Sequence, residues 1–100
     1  MGITVFSPQA ESADCLIRVR SFAPADGIPE DPVCGSGNGC VAVYMATHGV
    51  LGGPREYYAE QGIEIGRDGR VTVRVLEDDG VFKPQIGGQA VTVLEGVLRV

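Results

Sequence analysis

One hundred residues with a net charge of −5 and a pI near 4.6 make one small domain at most, with a modest core. The acidic balance excludes a basic nucleic-acid-binding face, and the ordinary 44% apolar share excludes a disordered chain. No apolar run is long enough to span a bilayer and the Met1 end has no apolar leader, so the expected location is the cytoplasm.

In chain order, Gly2 to Ser7 alternates, with Ile3 and Val5 on one face, and reads as a strand. Pro8 to Asp14 is polar and reads as a loop. Cys15 to Phe22 alternates again, Ile17 and Val19 facing one way and Arg18 and Arg20 the other. Ala23 to Pro32 is rich in turn residues, including Asp26-Gly27 and three prolines. A helix is predicted next. Gly52-Gly53-Pro54 breaks the chain, and Glu56 to Gln61 reads as a strand whose Tyr57 and Tyr58 point to opposite faces. Ile63 and Ile65 alternate after it. Asp68-Gly69 and Asp79-Gly80 are hairpin signals around the cleanest strand, Arg70 to Leu76, with Val71, Val73 and Val75 inward. Val81 to Ile86 is a further strand limited by Pro84, and Ala90 to Val100 reads as a closing strand bulged near Gly96.

The predicted helix falls within Ser36 to His48. Cys40-Val-Ala-Val-Tyr-Met-Ala46 is too long for a typical strand, and the segment carries no Lys, Arg, Asp or Glu. A helix apolar all round is buried on every side. Ser36 is the expected N-cap and Gly49 the left-handed stop. Covering such a helix calls for a strongly curved sheet. The expected fold is therefore α+β: a curved mixed β-sheet, a barrel-like half, wrapped around one central apolar helix, with residues 1–100 as a single domain.

Chemistry concentrates just before this helix, where Glu30, Asp31, Cys34 and Ser36 fall within seven residues. Gly35, Gly37 and Gly39 strip side chains from the first turn. Bare amides at a helix N-terminus hold a carboxylate or phosphate. The alternative is that the glycines only permit close packing against strands. Cys34 is the candidate nucleophile or base, since a thiolate is favoured at a helix N-terminus. Gly35 and Gly37 amides would hold a substrate carboxylate beside it. Asp31 and Glu30 would shuttle a proton or grip a substrate amine; the structural alternatives are, for Asp31, a turn acid bonded to nearby amides and, for Glu30, a solvated carboxylate.

Other polar residues carry less. His48 lies in the last helical turn, roughly 18 Å from Ser36 at ~1.5 Å per residue, and reads as structural. Cys15 and Cys40 read as small core residues. The cysteine spacing fits neither zinc nor a Cys-x-x-Cys redox pair.

The stretch Arg20-Ser-Phe-Ala-Pro-Ala-Asp-Gly-Ile-Pro-Glu-Asp-Pro-Val-Cys-Gly-Ser-Gly-Asn-Gly39 resembles the carboxyl-terminal part of the phenazine-biosynthesis (PhzF-like) isomerase family, within the diaminopimelate epimerase-like fold. Gln61-Gly62, Gly66-Arg-Asp-Gly69 and Ile86-Gly-Gly-Gln-Ala-Val91 look like later signatures of that family. The resemblance implies two facing domains with the site between them. It further implies a small carboxylic-acid or amino-acid substrate, movement of a proton or double bond, and no metal or organic cofactor. Asp31 and Ser36 match a site aspartate and a site serine. Many members have Thr where this chain has Cys34; the Cys34-Gly-Ser-Gly37 run looks more like the second cysteine motif of diaminopimelate epimerases and proline racemases.

The resemblance leaves the family's amino-terminal domain, with its catalytic glutamate, outside this sequence, along with the first strands of the carboxyl-terminal domain. The expectation is a partial carboxyl-terminal domain holding half a site and acting as a homodimer or with a complementing amino-terminal domain, with no nucleic-acid or membrane partner. The alternative is a non-catalytic binding or interaction domain that retains the fold.

Overall fold

The structure is a computed structural model and describes residues 2–51 and 55–100. Among the described residues, six strands form one sheet: β1 (Ile3–Ser7), β2 (Ile17–Ala23), β3 (Ile28–Asp31), β4 (Arg55–Gln61), β5 (Gly69–Asp78) and β6 (Val81–Gly87). One helix, α1 (Gly35–Thr47), packs against it. The order is β1-β2-β4-β5-β6, antiparallel except for the parallel β2–β4 pair. A parallel pair needs a crossover, and here β3 and α1 make it.

Strand β2 organises the site. Along one edge it pairs with β1. Its other edge is shared: residues 17–19 pair with β4, and Ser21 and Ala23 pair with β3. The ends of β3 and β4 therefore converge, with Asp31 opposite Ser21 and Gln61 opposite Val19.

The core lies between the curled sheet and α1. Ile17, Val19, Tyr57, Ala59, Val71, Val73 and Val75 face inward at period two, as alternation requires. Val41, Ala42, Met45 and Ala46 meet them from the helix at spacings of one, three and four. Asp79 and Gly80, at φ 52° and 79°, close the β5–β6 hairpin in the left-handed conformation that a tight two-residue turn demands. Pro84 sits in β6, at the end of the strand order, where a missing N–H donor is tolerated.

The curled mixed sheet around one helix is the expected architecture, but several elements differ. Helix α1 does have a solvent face: Cys40, Tyr44, Thr47 and His48 are exposed. The sheet is a half-barrel, so an apolar helix is covered only where strands pass. Cys40 is thus a surface residue, whereas Cys15 is buried as expected. The N-cap is Cys34, not Ser36. The stop at Gly49 stands, at φ 71°. Ile28–Asp31 forms a short strand within the turn-rich segment, and Ile63–Ile65 is a single 3-10 turn between left-handed Gly62 and Gly66. Asp68-Gly69 is the last part of that loop and not a tight turn.

Residues 88–100 form no strand. Val91, Val93, Leu94, Val97, Leu98 and Val100 are 85–119% exposed. Alternation equips a segment for a ladder, but a ladder also needs a partner edge, and none of the described strands pairs with this one. The Gly52-Gly53-Pro54 break lies outside the described residues.

Candidate functional site

The N-terminus of α1 is built by its own cap. Cys34 is extended (φ −122°, ψ 106°), and its Sγ accepts the Gly37 N–H at 3.3 Å. A sulfur there stands at the positive end of the helix, beside N–H groups with no intrahelical partner. Ser36 Oγ lies 3.6 Å from Cys34 Sγ. Asp31 Oδ1 accepts the Val33 N–H at 3.1 Å, a local turn that fixes the carboxylate just ahead of the cap.

Asp31, Cys34, Ser36 and Gly37 line one cavity of about 550 Å³, with Thr4 of β1 and Ser21 of β2 on the facing wall. Thr4 Oγ1 and Ser21 Oγ are 2.9 Å apart and hydrogen-bonded. Tyr44, Cys40 and Phe6 give the cavity an apolar side. Thr4 and Ser21 are the residues that the sequence reading missed. Ser21 carried a signal: it continues the inward parity of Ile17 and Val19, yet it is polar.

The glycines divide. Gly35 is exposed, and a Cβ there would meet nothing closer than Ile86 Cγ2 at 3.8 Å. Gly37 is buried, and a Cβ would lie 2.6 Å from Thr4 Oγ1 and 2.9 Å from Ser21 Oγ. Gly39 is also buried, against Pro84. Close packing therefore accounts for Gly37 and Gly39, and the Gly37 N–H is already committed to Cys34.

Glu30 is not in this cavity. Its carboxylate accepts from Arg20 Nη2 at 2.7 Å and Arg20 Nε at 3.1 Å, and its side chain is 8% exposed. His48 stacks against Tyr44, centroids 4.4 Å apart, at the far end of the helix. Burial pushes the Cys15 thiol up, which makes it a poorer nucleophile. Among the described residues, no three His, Cys, Asp or Glu side chains come together as a metal site.

Behind the cavity, Gln61 and Asn38 are fully buried. Gln61 Oε1 accepts the Cys34 N–H at 3.3 Å and Asn38 Nδ2 at 2.9 Å, and Gln61 Nε2 donates to the Asp31 carbonyl at 2.8 Å. Asn38 Nδ2 also donates to the Cys34 carbonyl at 2.8 Å.

Comparison with known proteins gives the family. The family described as Phenazine biosynthesis-like protein matches residues 1–96. An uncharacterized isomerase of Clostridium acetobutylicum is 40% identical over 97% of this chain and 33% of its own length. A trans-2,3-dihydro-3-hydroxyanthranilate isomerase of Pseudomonas chlororaphis is 33% identical over 81% of this chain and 30% of its own. The crystal structure of a Bacillus anthracis phenazine biosynthesis protein of the PhzF family superposes with a TM-score of 0.72 at 34% identity, covering 85% of this chain and 29% of that one. The chain thus spans about a third of the length of these relatives. With its curled half-barrel packed on α1 and a match across nearly its whole length, the chain belongs to the phenazine biosynthesis-like (PhzF) isomerase family.

Proposed function

We propose that this chain supplies one wall of a cofactor-independent isomerase site that moves a proton at a carbon of a small carboxylate or amino acid. The observation that carries the reading is the gathering of Asp31, Cys34 and Ser36 at one cavity on the N-terminus of α1. The exposed first turn at Gly35 and Ser36 receives the substrate carboxylate, where helix-terminal donors favour an anion. Cys34, as thiolate, takes the proton from the adjacent carbon. The electron pair left behind delocalises into the carboxylate, whose developing charge the same donors stabilise. Asp31 relays the proton, and an acid on the opposite wall returns one to the substrate. The isomerase names of the relatives support this reaction class.

In this reading the second wall comes from a complementing amino-terminal domain or a second copy of the chain. Two exposed apolar surfaces support that: the Cys40–Tyr44 face of α1, and the 88–100 segment. Exposed apolar surface of this extent marks contact with other protein. Light scattering of the chain at micromolar concentration, alone and with a relative's amino-terminal domain, checks it; a monomer in both samples overturns it.

The chemistry is tested by incubating the assembled protein with candidate amino acids in D₂O and reading deuterium at Cα. Incorporation that Cys34→Ala abolishes supports the reading. A second reading, a carboxylate-binding domain without turnover, draws on the exposed first turn at Gly35 and Ser36, whose donors suit an anion without any chemistry. It predicts carboxylate binding at Gly35 and Ser36 with no deuterium incorporated under any pairing.

A further inference from the structure

Gln61 ends β4, on the far side of the crossover from the turn that carries Asp31 and Cys34. Its amide is fully buried, and each end of it has a separate target. Oε1 takes the Cys34 N–H at 3.3 Å, while Nε2 holds the Asp31 carbonyl at 2.8 Å. Asn38, also fully buried, locks the arrangement from the helix by donating to both Gln61 Oε1 and the Cys34 carbonyl. Both candidate site residues are thus bonded through their backbones to one side chain 27 or 30 positions away.

A buried amide costs stability unless its bonds are made, and apolar residues would fill the same space at lower risk. What the amide provides that an apolar side chain does not is a fixed distance between the two turns. The loop's own bond, from the Val33 N–H to Asp31 Oδ1, stops one residue short of Cys34, so the Gln61 amide is what joins the Asp31 and Cys34 backbones.

From this geometry we infer that Gln61 is the positioning residue of the site: it sets Asp31 and Cys34 relative to one another, with Asn38 holding its acceptor end. The inference rests on the proposed roles of Asp31 and Cys34. It names a residue that does not itself line the cavity but bonds two residues that do.

The test is amide hydrogen exchange by NMR on the full chain, with iodoacetamide alkylation of Cys34 read against Cys40 in the same sample. In Gln61→Leu the Cys34 amide exchanges at least tenfold faster, while the β4–β5 amides keep their protection. The Cys34-to-Cys40 alkylation ratio falls several-fold, because the Gly37 N–H no longer meets a fixed sulfur. Gln61→Glu keeps an acceptor for the Cys34 N–H and restores its protection. A Cys34 amide unchanged in a folded Gln61→Leu chain overturns the inference. If leucine unfolds the chain, the unaltered protein decides: slowly exchanging Gln61 side-chain amide protons support the inference, and fast exchange overturns it. None of these readouts needs turnover, so failure of the proposed reaction, read as absence of deuterium incorporation, and failure of the Gln61 bonds to Asp31 and Cys34 are told apart.

Discussion

Cys34 caps the helix that follows it: its Sγ takes the Gly37 N–H, three residues along the chain, at 3.3 Å. The same sulfur is the proposed base, so structure and chemistry can be separated by substitution. Cys34→Ser keeps an acceptor at the cap and holds stability near that of the parent. Cys34→Ala removes it and lowers stability by at most about 1 kcal/mol, the loss for the stronger oxygen caps, since sulfur is the weaker acceptor. Both abolish deuterium incorporation in the assembled protein. Denaturant midpoints beside isotope exchange separate the two effects, and full turnover in Cys34→Ala would remove the sulfur from the mechanism.

Neighbouring glycines respond in opposite ways. Gly37→Ala drives a methyl toward Thr4 Oγ1 and Ser21 Oγ, at 2.6 and 2.9 Å before relaxation, and toward Cys34 Sγ at 3.1 Å. Such overpacking costs about 1–3 kcal/mol and displaces the thiol. Gly35→Ala meets nothing inside 3.8 Å and restricts the unfolded chain, so it leaves stability unchanged or raises it by about 0.4–1 kcal/mol. Urea unfolding of the two variants gives the comparison directly.

Glu30 tests the boundary of the site. It is paired with Arg20 at 2.7 Å and does not line the cavity. Arg20 is 41% exposed, so solvent screens the pair, and Glu30→Gln lowers stability by about 1 kcal/mol or less. Deuterium incorporation stays within twofold of the parent. A loss of turnover without a loss of stability would return Glu30 to the site.

Tyr57 makes the fold sensitive to alkali. It is 6% exposed, its hydroxyl has no partner among the described residues, and burial pushes its pKa up to about 12. An unfolded tyrosine ionises near 10, so between about pH 10 and 12 the native state holds the proton that the unfolded state loses. Stability therefore falls as pH rises through that window, by about 2–3 kcal/mol from this group, and is unaffected below it. Tyr57→Phe removes that slope. At neutral pH it is neutral or stabilising by about 1 kcal/mol, since a buried hydroxyl without a partner is deleted. Chemical unfolding at pH 8 and pH 11 checks both statements.

The strands β1, β2, β4, β5 and β6 were legible because each announces itself over a few neighbouring residues, whereas β3 was hidden among turn residues. Ile17 and Val19, or Val71, Val73 and Val75, alternate with polar residues, and Asp79-Gly80 carries the backbone freedom its turn needs. Asp31, Cys34 and Ser36 were legible as a cluster for the same reason: they are close in sequence, ahead of a helix start. Ile63–Ile65 misled because two alternating isoleucines also fit a 3-10 turn between left-handed glycines. The 88–100 segment misled because alternation reports a preference for pairing and says nothing of whether a partner edge exists.

What the sequence by itself determined is local: that a helix occupies this stretch and stops at Gly49, which strand faces are apolar, and that a sulfur and a carboxylate precede a glycine-rich turn. Tertiary structure alone decided which of Glu30 and Asp31 reaches the cavity, that Cys40 and Tyr44 stand uncovered, and that Gln61 reaches back to both Asp31 and Cys34. The uncovered helix face follows from the half-barrel, and the meeting of Asp31, Cys34 and Gln61 follows from the sharing of one edge of β2 between β3 and β4; the β4 part of it joins residues as distant in the chain as Ile17 and Ala59, which no short-range pattern encodes.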